Sequence, residues 1–378
     1  MNSASLFCPN IDCPARGQVG KGNIGVHSQK KKRYICHICQ KTFRASKGTL
    51  FYRLRTDPKT VLLVIALLVY GCPIQAIVQA FGLDERTVRN WWQRAGRHCQ
   101  AFHEHLVEHN QLDLGQVQAD EIKAKTQQGP IWMAMAIMVS TRLWLGGAVS
   151  AYRDTALLQH MARQVRTIAL CRPLLLAVDG LNIYLTVLLD AFRTGVPRLP
   201  GQIGRMTLVR WPNIALVQVI KSKPAGTWDI RRIIVQGEQA MIDHLLKTTQ
   251  GGGMINTAYI ERLNATFRQR LACLFRRTRH LARHSQTLQD GMYLLGCVYN
   301  FCDFHHSLRL RLSVGRHGFR WVQRTPALAA GLADHPWTLE ELFLFKTPPR
   351  PWRKKQGRGR MPNQLKKRLQ RYGLLSTL

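Results

Sequence analysis

Acidic residues are scarce. Asp and Glu account for 21 of 378 residues, against 55 Lys and Arg, and the formal net charge is +34. An imbalance of that size excludes an ordinary near-neutral enzyme surface, since such a field draws phosphate backbones and makes binding steeply salt-dependent. Long apolar runs are missing as well. The longest, Val61 to Val69, is about half of what crosses a bilayer, and the first 20 residues carry no continuous apolar stretch of the kind a secretory leader needs. No internal repeat is visible, which sets aside solenoids and propellers. The ten cysteines form no disulfide framework: one tight cluster stands apart from isolated members in apolar context. That usage points to a metal site in a reducing compartment, so we expect a cytoplasmic protein with no membrane partner.

What is present is a 46% hydrophobic chain, long enough for a large core and two or three domains. Residues 1–56 are rich in Gly, Lys and Cys and poor in large aliphatic side chains, so they need a staple to fold. Cys8-x4-Cys13 and Cys36-x2-Cys39, separated by 22 residues, offer four thiolates from two tight turns. This is the donor set of a structural Zn²⁺ in a small ribbon. His37 is an outside candidate ligand, and four unrelated thiols are the plain alternative. Lys30–Tyr34 and Lys41–Arg44 interleave basic and aromatic residues, a combination that suits phosphate contact.

Residues 57–110 are helical in pattern. A helix from Pro58 to Tyr70 is followed by Ile74 to Phe81, a short turn at Gly82-Leu83, and a third helix capped by Asp84 and running to about Arg97. Ala76, Ile77, Leu83, Val88 and Trp91 are expected to be buried, the spacing of an all-α helix-turn-helix. Arg86, Thr87, Arg89, Asn90 and Gln93 then face outward, with Arg86, Arg89, Asn90 and Gln93 as DNA-binding candidates on a helix able to enter a major groove. Two ordinary core helices would give the same pattern.

Residues 111–346 read as an α/β domain. Strands at Leu114–Ile122, Ile131–Val139 and Leu143–Ala151 form an antiparallel meander. A helix (Thr155–Ile168), a buried strand (Leu174–Val178), a helix (Asn182–Phe192) and a strand (Ala215–Ile220) follow. The order βββαβαβ predicts a mixed five-stranded sheet with flanking helices. Residues 222–253 read as an insertion with a strand at Trp228–Val235 and a helix at Glu238–Thr248, and a long helical region resumes near Thr257. Residues 347–378 read as a mobile basic tail.

Three of the few carboxylates sit on these elements. Asp120 follows Val117-Gln118-Ala119, Asp179 closes Leu174–Val178, and Glu261 opens the last helical region, with Asn264, Ala265 and Arg268 on its face. Hard oxygen ligands converging from separate elements suit Mg²⁺ (or Mn²⁺), and a pair of such ions serves phosphoryl transfer in nucleic acids. Each also has a plain reading, as a turn, an edge residue or a helix-terminal ion pair. Glu121 should point to the opposite face from Asp120. Arg268, Arg270, Arg276, Arg277, Arg279, His280, Arg283 and His284 follow Glu261 and would grip DNA, while His305 and His306 are weaker candidates for the same phosphate.

Ala119-Asp120-Glu121, Val178-Asp179-Gly180, Asn256–Arg268, Gly48–Arg55, Tyr299-Asn300-Phe301-Cys302 and Arg324–Ala327 together carry a likeness to a known group. The chain resembles bacterial insertion-sequence transposases of the DDE class that have an N-terminal zinc ribbon, a helix-turn-helix and a ribonuclease H-like catalytic domain. The resemblance implies a catalytic and metal-binding triad of Asp120, Asp179 and Glu261, and DNA cleavage and strand transfer at terminal inverted repeats. It also implies target DNA as partner, a homodimer or larger assembly on DNA, and nucleoid association. The 82-residue step from Asp179 to Glu261 is longer than the compact spacing familiar in many such transposases. The rival expectations are a non-catalytic, sequence-specific DNA-binding regulator and a structure-selective nuclease of the same fold.

Overall fold

The computed structural model describes residues 6–126, 129–196, 205–224, 227, 229–275, 284–314, 318–350 and 363–371. They divide into two compact units, residues 1–58 with 343–378, and residues 59–342. Among the described residues no helix is long and apolar enough to cross a membrane.

The first unit is built on a three-stranded antiparallel sheet, β1 (Ile24–Ser28), β2 (Arg33–Cys36) and β3 (Thr42–Arg44). Its core is small: Cys8, Cys13, Ala15, Ile24, Tyr34, Cys36, Ile38 and Phe43, with the Tyr34 and Phe43 rings stacked at 5.9 Å. So few apolar groups cannot offset the ordering of some fifty residues, and the four thiols at its centre are the staple such a fold requires. The segment after Leu342 belongs here. The Leu50 N–H donates to the Phe343 carbonyl at 3.1 Å, and Arg16 Nε donates to the Arg350 carbonyl at 2.6 Å. Residues 347–350 therefore pack on this unit, although a mobile tail was expected from 347. A helix follows at Asn363–Arg371, and the rest of the tail lies outside the described residues.

The second unit opens with α1 (Pro58–Val69), α2 (Ile74–Phe81) and α3 (Glu85–His103), and α3 runs on into a π-helical turn at Glu104–Glu108. The sheet then begins with β4 (Gln116–Thr126), β5 (Gly129–Met138) and β6 (Trp144–Ser150). After α4 (Thr155–Ile168), β7 (Leu174–Val178) and α5 (Ile183–Ala191) comes a small separate hairpin, β8 (Arg193–Val196) and β9 (Thr207–Arg210). The main sheet is completed by β10 (Ile214–Ser222) and β11 (Asp229–Gln236). Its order is β11-β10-β7-β4-β5-β6, with β4, β7 and β10 parallel and the remaining pairs antiparallel.

The sheet thus has six strands where five were expected. The sixth comes from residues 222–253, which had read as an insertion. In fact β11 pairs along β10, and α6 (Gln239–Gln250) buries Ile242, Leu245 and Leu246 against Leu175, Ala177, Ala215, Val217 and Val219. The strand expected at Trp228–Val235 is present as β11, and both of its faces are exposed at the sheet edge.

The helical region near Thr257 divides. α7 (Ala258–Arg270) stops where Leu271 turns to an extended backbone, and a 3-10 turn at Ala272–Leu274 follows. α8 (Ser285–Phe301) is buried nearly all round, as a helix enclosed on every side must be. It lies between α3 and β6. Gly96 on α3 faces Asp290, where a Cβ would stand 2.5 Å away, and Gly296 faces the Trp144 ring with no room for one. Asn300 locks the other end, donating to the Trp144 carbonyl at 2.8 Å and accepting from its N–H at 2.9 Å. Helix α3, from the segment expected as its own domain over 57–110, packs along α8. A hairpin, β12 (Leu310–Val314) and β13 (Gly318–Val322), and two short helices, α9 (Pro326–Ala329) and α10 (Leu339–Leu344), close the chain path here.

Candidate functional site

The central strand pair sets the geometry. Ala119 on β4 pairs in parallel with Val178 on β7, so Asp120 and Asp179 are each the next residue at the same end of neighbouring strands. The third carboxylate is brought in by Gln118. This buried side chain accepts hydrogen bonds from the Tyr259 and Ile260 N–H groups, both at 3.0 Å, and donates to the Asn256 carbonyl at 2.7 Å. Those N–H groups belong to the first turn of α7, which has no intrahelical acceptor for them. Gln118 therefore caps α7 and pins it to β4 in one move. Glu261 follows directly, and one turn later Asn264 Nδ2 donates to Asp120 Oδ2 at 2.7 Å. Asp120, Asp179 and Glu261 line one cavity of about 450 Å³ together with Arg153, Lys221 and Thr257.

The three carboxylates differ in their surroundings. Burial, followed by the neighbouring charges of Glu121, Asp179 and Glu261, pushes Asp120 up to about 7, against the opposing hydrogen bond from the Glu121 N–H at 2.8 Å. Asp179 Oδ1 accepts from the Leu181 N–H at 3.0 Å, and Oδ2 lies 3.4 Å from Arg153 Nη2. For Glu261 burial acts to raise the carboxyl, but hydrogen bonds from Lys221 and Thr257 prevail and hold it below its usual range.

Glu121 has a larger part than strand alternation implied. Asp179 stands past the end of its strand, and oxygens of Asp120, Glu121 and Asp179 all lie within 4.8 Å of one another. Burial raises Glu121 above its ordinary range, against the hydrogen bond from Tyr184 at 2.6 Å and the contact with Arg153. Crowded carboxylates repel, and a hard divalent cation relieves that repulsion. Arg153, Lys221 and Gln118 went unnoticed in the sequence. Arg153 sits in a loop, Lys221 near a strand end, and Gln118 occupies an ordinary polar phase of a strand, so none carries a motif signal.

At the other candidate metal site, the Sγ atoms of Cys8 and Cys39 are 3.7 Å apart and those of Cys13 and Cys36 are 3.9 Å apart. A tetrahedron with Zn–S bonds of about 2.3 Å has edges of about 3.8 Å. The four free thiols fit that ion. Asn23 Nδ2 donates to Cys36 Sγ at 3.3 Å, orienting one ligand. His37 is not among these four and lies against Gly25.

The α2–α3 pair is joined as the turn chemistry predicts. Gly82 takes the left-handed conformation, and Asp84 caps α3 by accepting from the Arg86 and Thr87 N–H groups at 2.8 and 3.3 Å. Ile77, Val88 and Trp91 are buried and Leu83 is half-buried, but Ala76 is exposed, contrary to expectation, because α2 turns only Ile77 fully inward. Arg86, Asn90 and Gln93 are exposed, whereas Arg89 is half-buried and engaged by Glu85 through Nε at 2.6 Å. Arg268 is half-buried on the last turn of α7. Arg270 is held by Asp303 at 2.5 Å and lies over the Tyr70 ring, so it has an acidic partner after all. Arg276, Arg277, Arg279, His280 and Arg283 lie outside the described residues. His305 packs edge-on to Tyr299 and meets Ser307 at 2.9 Å, and it is not one of the residues lining the carboxylate cavity.

No protein-family model matches the chain, and no curated protein matches it.

Proposed function

We propose that this protein is a DNA transposase of the DDE class, with a ribonuclease H-like catalytic unit that cuts element ends and joins them to target DNA. One observation carries the reading: Asp120 and Asp179 stand at the same end of adjacent parallel strands and share a cavity with Glu261, in a chain of net charge +34. The βββαβαβ succession around β4, β7 and β10 supports the same assignment.

In this reading Asp120, Asp179 and Glu261 would hold Mg²⁺ (or Mn²⁺); Glu121 lies within 4.8 Å of Asp120 and Asp179, a close group that does not include Glu261, which shares their cavity. Bound there, the ions would activate the attacking oxygen and stabilise the leaving one. The protein's own groups supply position and charge. Asn264 orients Asp120, the Leu181 N–H orients Asp179, and Gln118 fixes the helix that carries Glu261. Lys221 and Arg153 line the cavity, where Lys221 pairs with Glu261 and Arg153 with Glu121 and Asp179. The Cys8/Cys13/Cys36/Cys39 ribbon and the α2–α3 pair would bind terminal inverted repeats, with Arg86, Asn90 and Gln93 presented for base contact.

The test is an incubation of the purified chain with Mg²⁺, paired element ends taken from inverted repeats flanking its coding sequence, and a target plasmid. Joined products are the expected result. Cuts without joining assign a nuclease instead, and binding without cutting assigns a regulator.

A further inference from the structure

A second cavity lies wholly on the ribbon unit. It measures about 390 Å³ and is lined by Arg33, Thr42, Phe43, Arg44, Lys47, Tyr52 and Arg53. Four of these seven are cationic and none is acidic. Arg33 and Arg44 are directly opposite each other on β2 and β3. Like charges facing across a strand pair destabilise a sheet, so the placement makes sense when an anion is the third party.

Two of these cations have contacts within the cleft. Arg33 donates to the Thr42 hydroxyl. Arg53 takes a left-handed backbone, with φ of 61°, and lies over the Tyr52 ring at 5.3 Å. A long side chain adopts that conformation only when its surroundings impose it. The floor is the buried Phe43, packed on Tyr34 in the ribbon core. Planar guanidinium forks around a shallow notch match the two free oxygens of a phosphate diester.

We propose that this cleft is a phosphodiester site that seats a nucleic-acid backbone on the ribbon without reading its bases. It rests on the nucleic-acid partner of the function proposed above and adds a division of labour. The ribbon supplies sequence-independent anchoring through Arg33, Arg44, Lys47 and Arg53, while sequence is read elsewhere.

The experiment uses the full chain with its zinc and a fluorescent random-sequence duplex, with anisotropy titrations from 50 to about 300 mM salt. Each phosphate contact contributes about 0.9 to the slope of log K against log salt. Replacing Arg44→Gln, Lys47→Gln and Arg53→Gln together should lower that slope by about 2 to 3 and weaken every duplex alike. Arg44→Lys with Arg53→Lys, which keeps the charge, should retain most of the slope. Zinc content and the thermal midpoint, measured on the same samples, separate a lost contact from a lost fold. An unchanged slope in a zinc-loaded Gln variant overturns the cleft assignment alone. A loss confined to one duplex sequence overturns it as well, because the site would then be reading bases. If the unaltered chain binds no duplex, both the cleft and the nucleic-acid reading fall.

Discussion

Replacing Gln118→Met removes the link between β4 and α7 while keeping nearly the same side-chain volume, so no cavity term is added. Three backbone groups lose their partner: the Tyr259 and Ile260 N–H groups and the Asn256 carbonyl. The Ile260 bond is buried, and an unsatisfied buried donor costs about 1–3 kcal/mol. The other two groups are partly exposed and recover some hydration, so each is worth about 0.5–1 kcal/mol. The sum predicts a loss of about 2–5 kcal/mol in urea unfolding of the unit that contains the sheet. The functional consequence should exceed the thermodynamic one, since Glu261 lies one residue beyond the pinned turn. Strand transfer should fall by at least tenfold in the folded variant while duplex binding is retained, because a shift of about 1 Å in a catalytic group costs on the order of a hundredfold. A stability change under about 0.5 kcal/mol, with transfer intact, would refute the argument that Gln118 positions α7.

Further outcomes follow from other parts of the molecule. Gly296→Ala drives a Cβ into the Trp144 ring, and such overpacking should destabilise by about 1–3 kcal/mol or more in thermal unfolding. Cys36→Ser should abolish stoichiometric zinc by elemental analysis and expose residues 1–58 to limited proteolysis, with the sheet unit remaining resistant. His103 is fully buried against Trp144, and burial pushes it down to about 3, below its ordinary value of 6.5. The unfolded chain then binds a proton that the folded chain does not, so stability should fall by about 1.4 kcal/mol per unit as pH drops from 6.5 toward 3. His103→Gln should flatten that slope by one proton in urea titrations at several pH values. On the proposed DNA-reading helix α3, Asn90→Ala should cost specific binding about 1–3 kcal/mol, and Arg89→Ala less, because Glu85 already engages that guanidinium.

The sequence carried the fold unevenly, for physical reasons. Helix α4 and strand β7 fall where periodicity and flanking turns put them, since each has one clear environment along its length. A strand is legible at Trp228–Val235, but its place beside β10 is not, because an edge strand exposed on both faces has no buried phase to tie it to the main sheet. Helix α8 was blurred into its predecessor because enclosure on all sides leaves no polar stripe. The cysteine pairs were legible because metal ligation demands short spacings within each turn. The surroundings of Asp120 were not, since Gln118 reaches Asn256 across 138 residues of chain, and Arg153 reaches Glu121 and Asp179 across 32 and 26. Such contacts belong to topology, and local pattern does not encode them.

The central claim is that Asp120, Asp179 and Glu261 form a metal-dependent strand-transfer site, and Asp179→Asn tests it most directly. The amide keeps the shape and the hydrogen bond from the Leu181 N–H but removes the charge. Strand transfer from pre-cleaved element ends into a plasmid, measured with Mg²⁺ beside the unaltered chain, should be lost while anisotropy reports undiminished binding to the terminal repeats. Joined products at the unaltered rate would contradict the account.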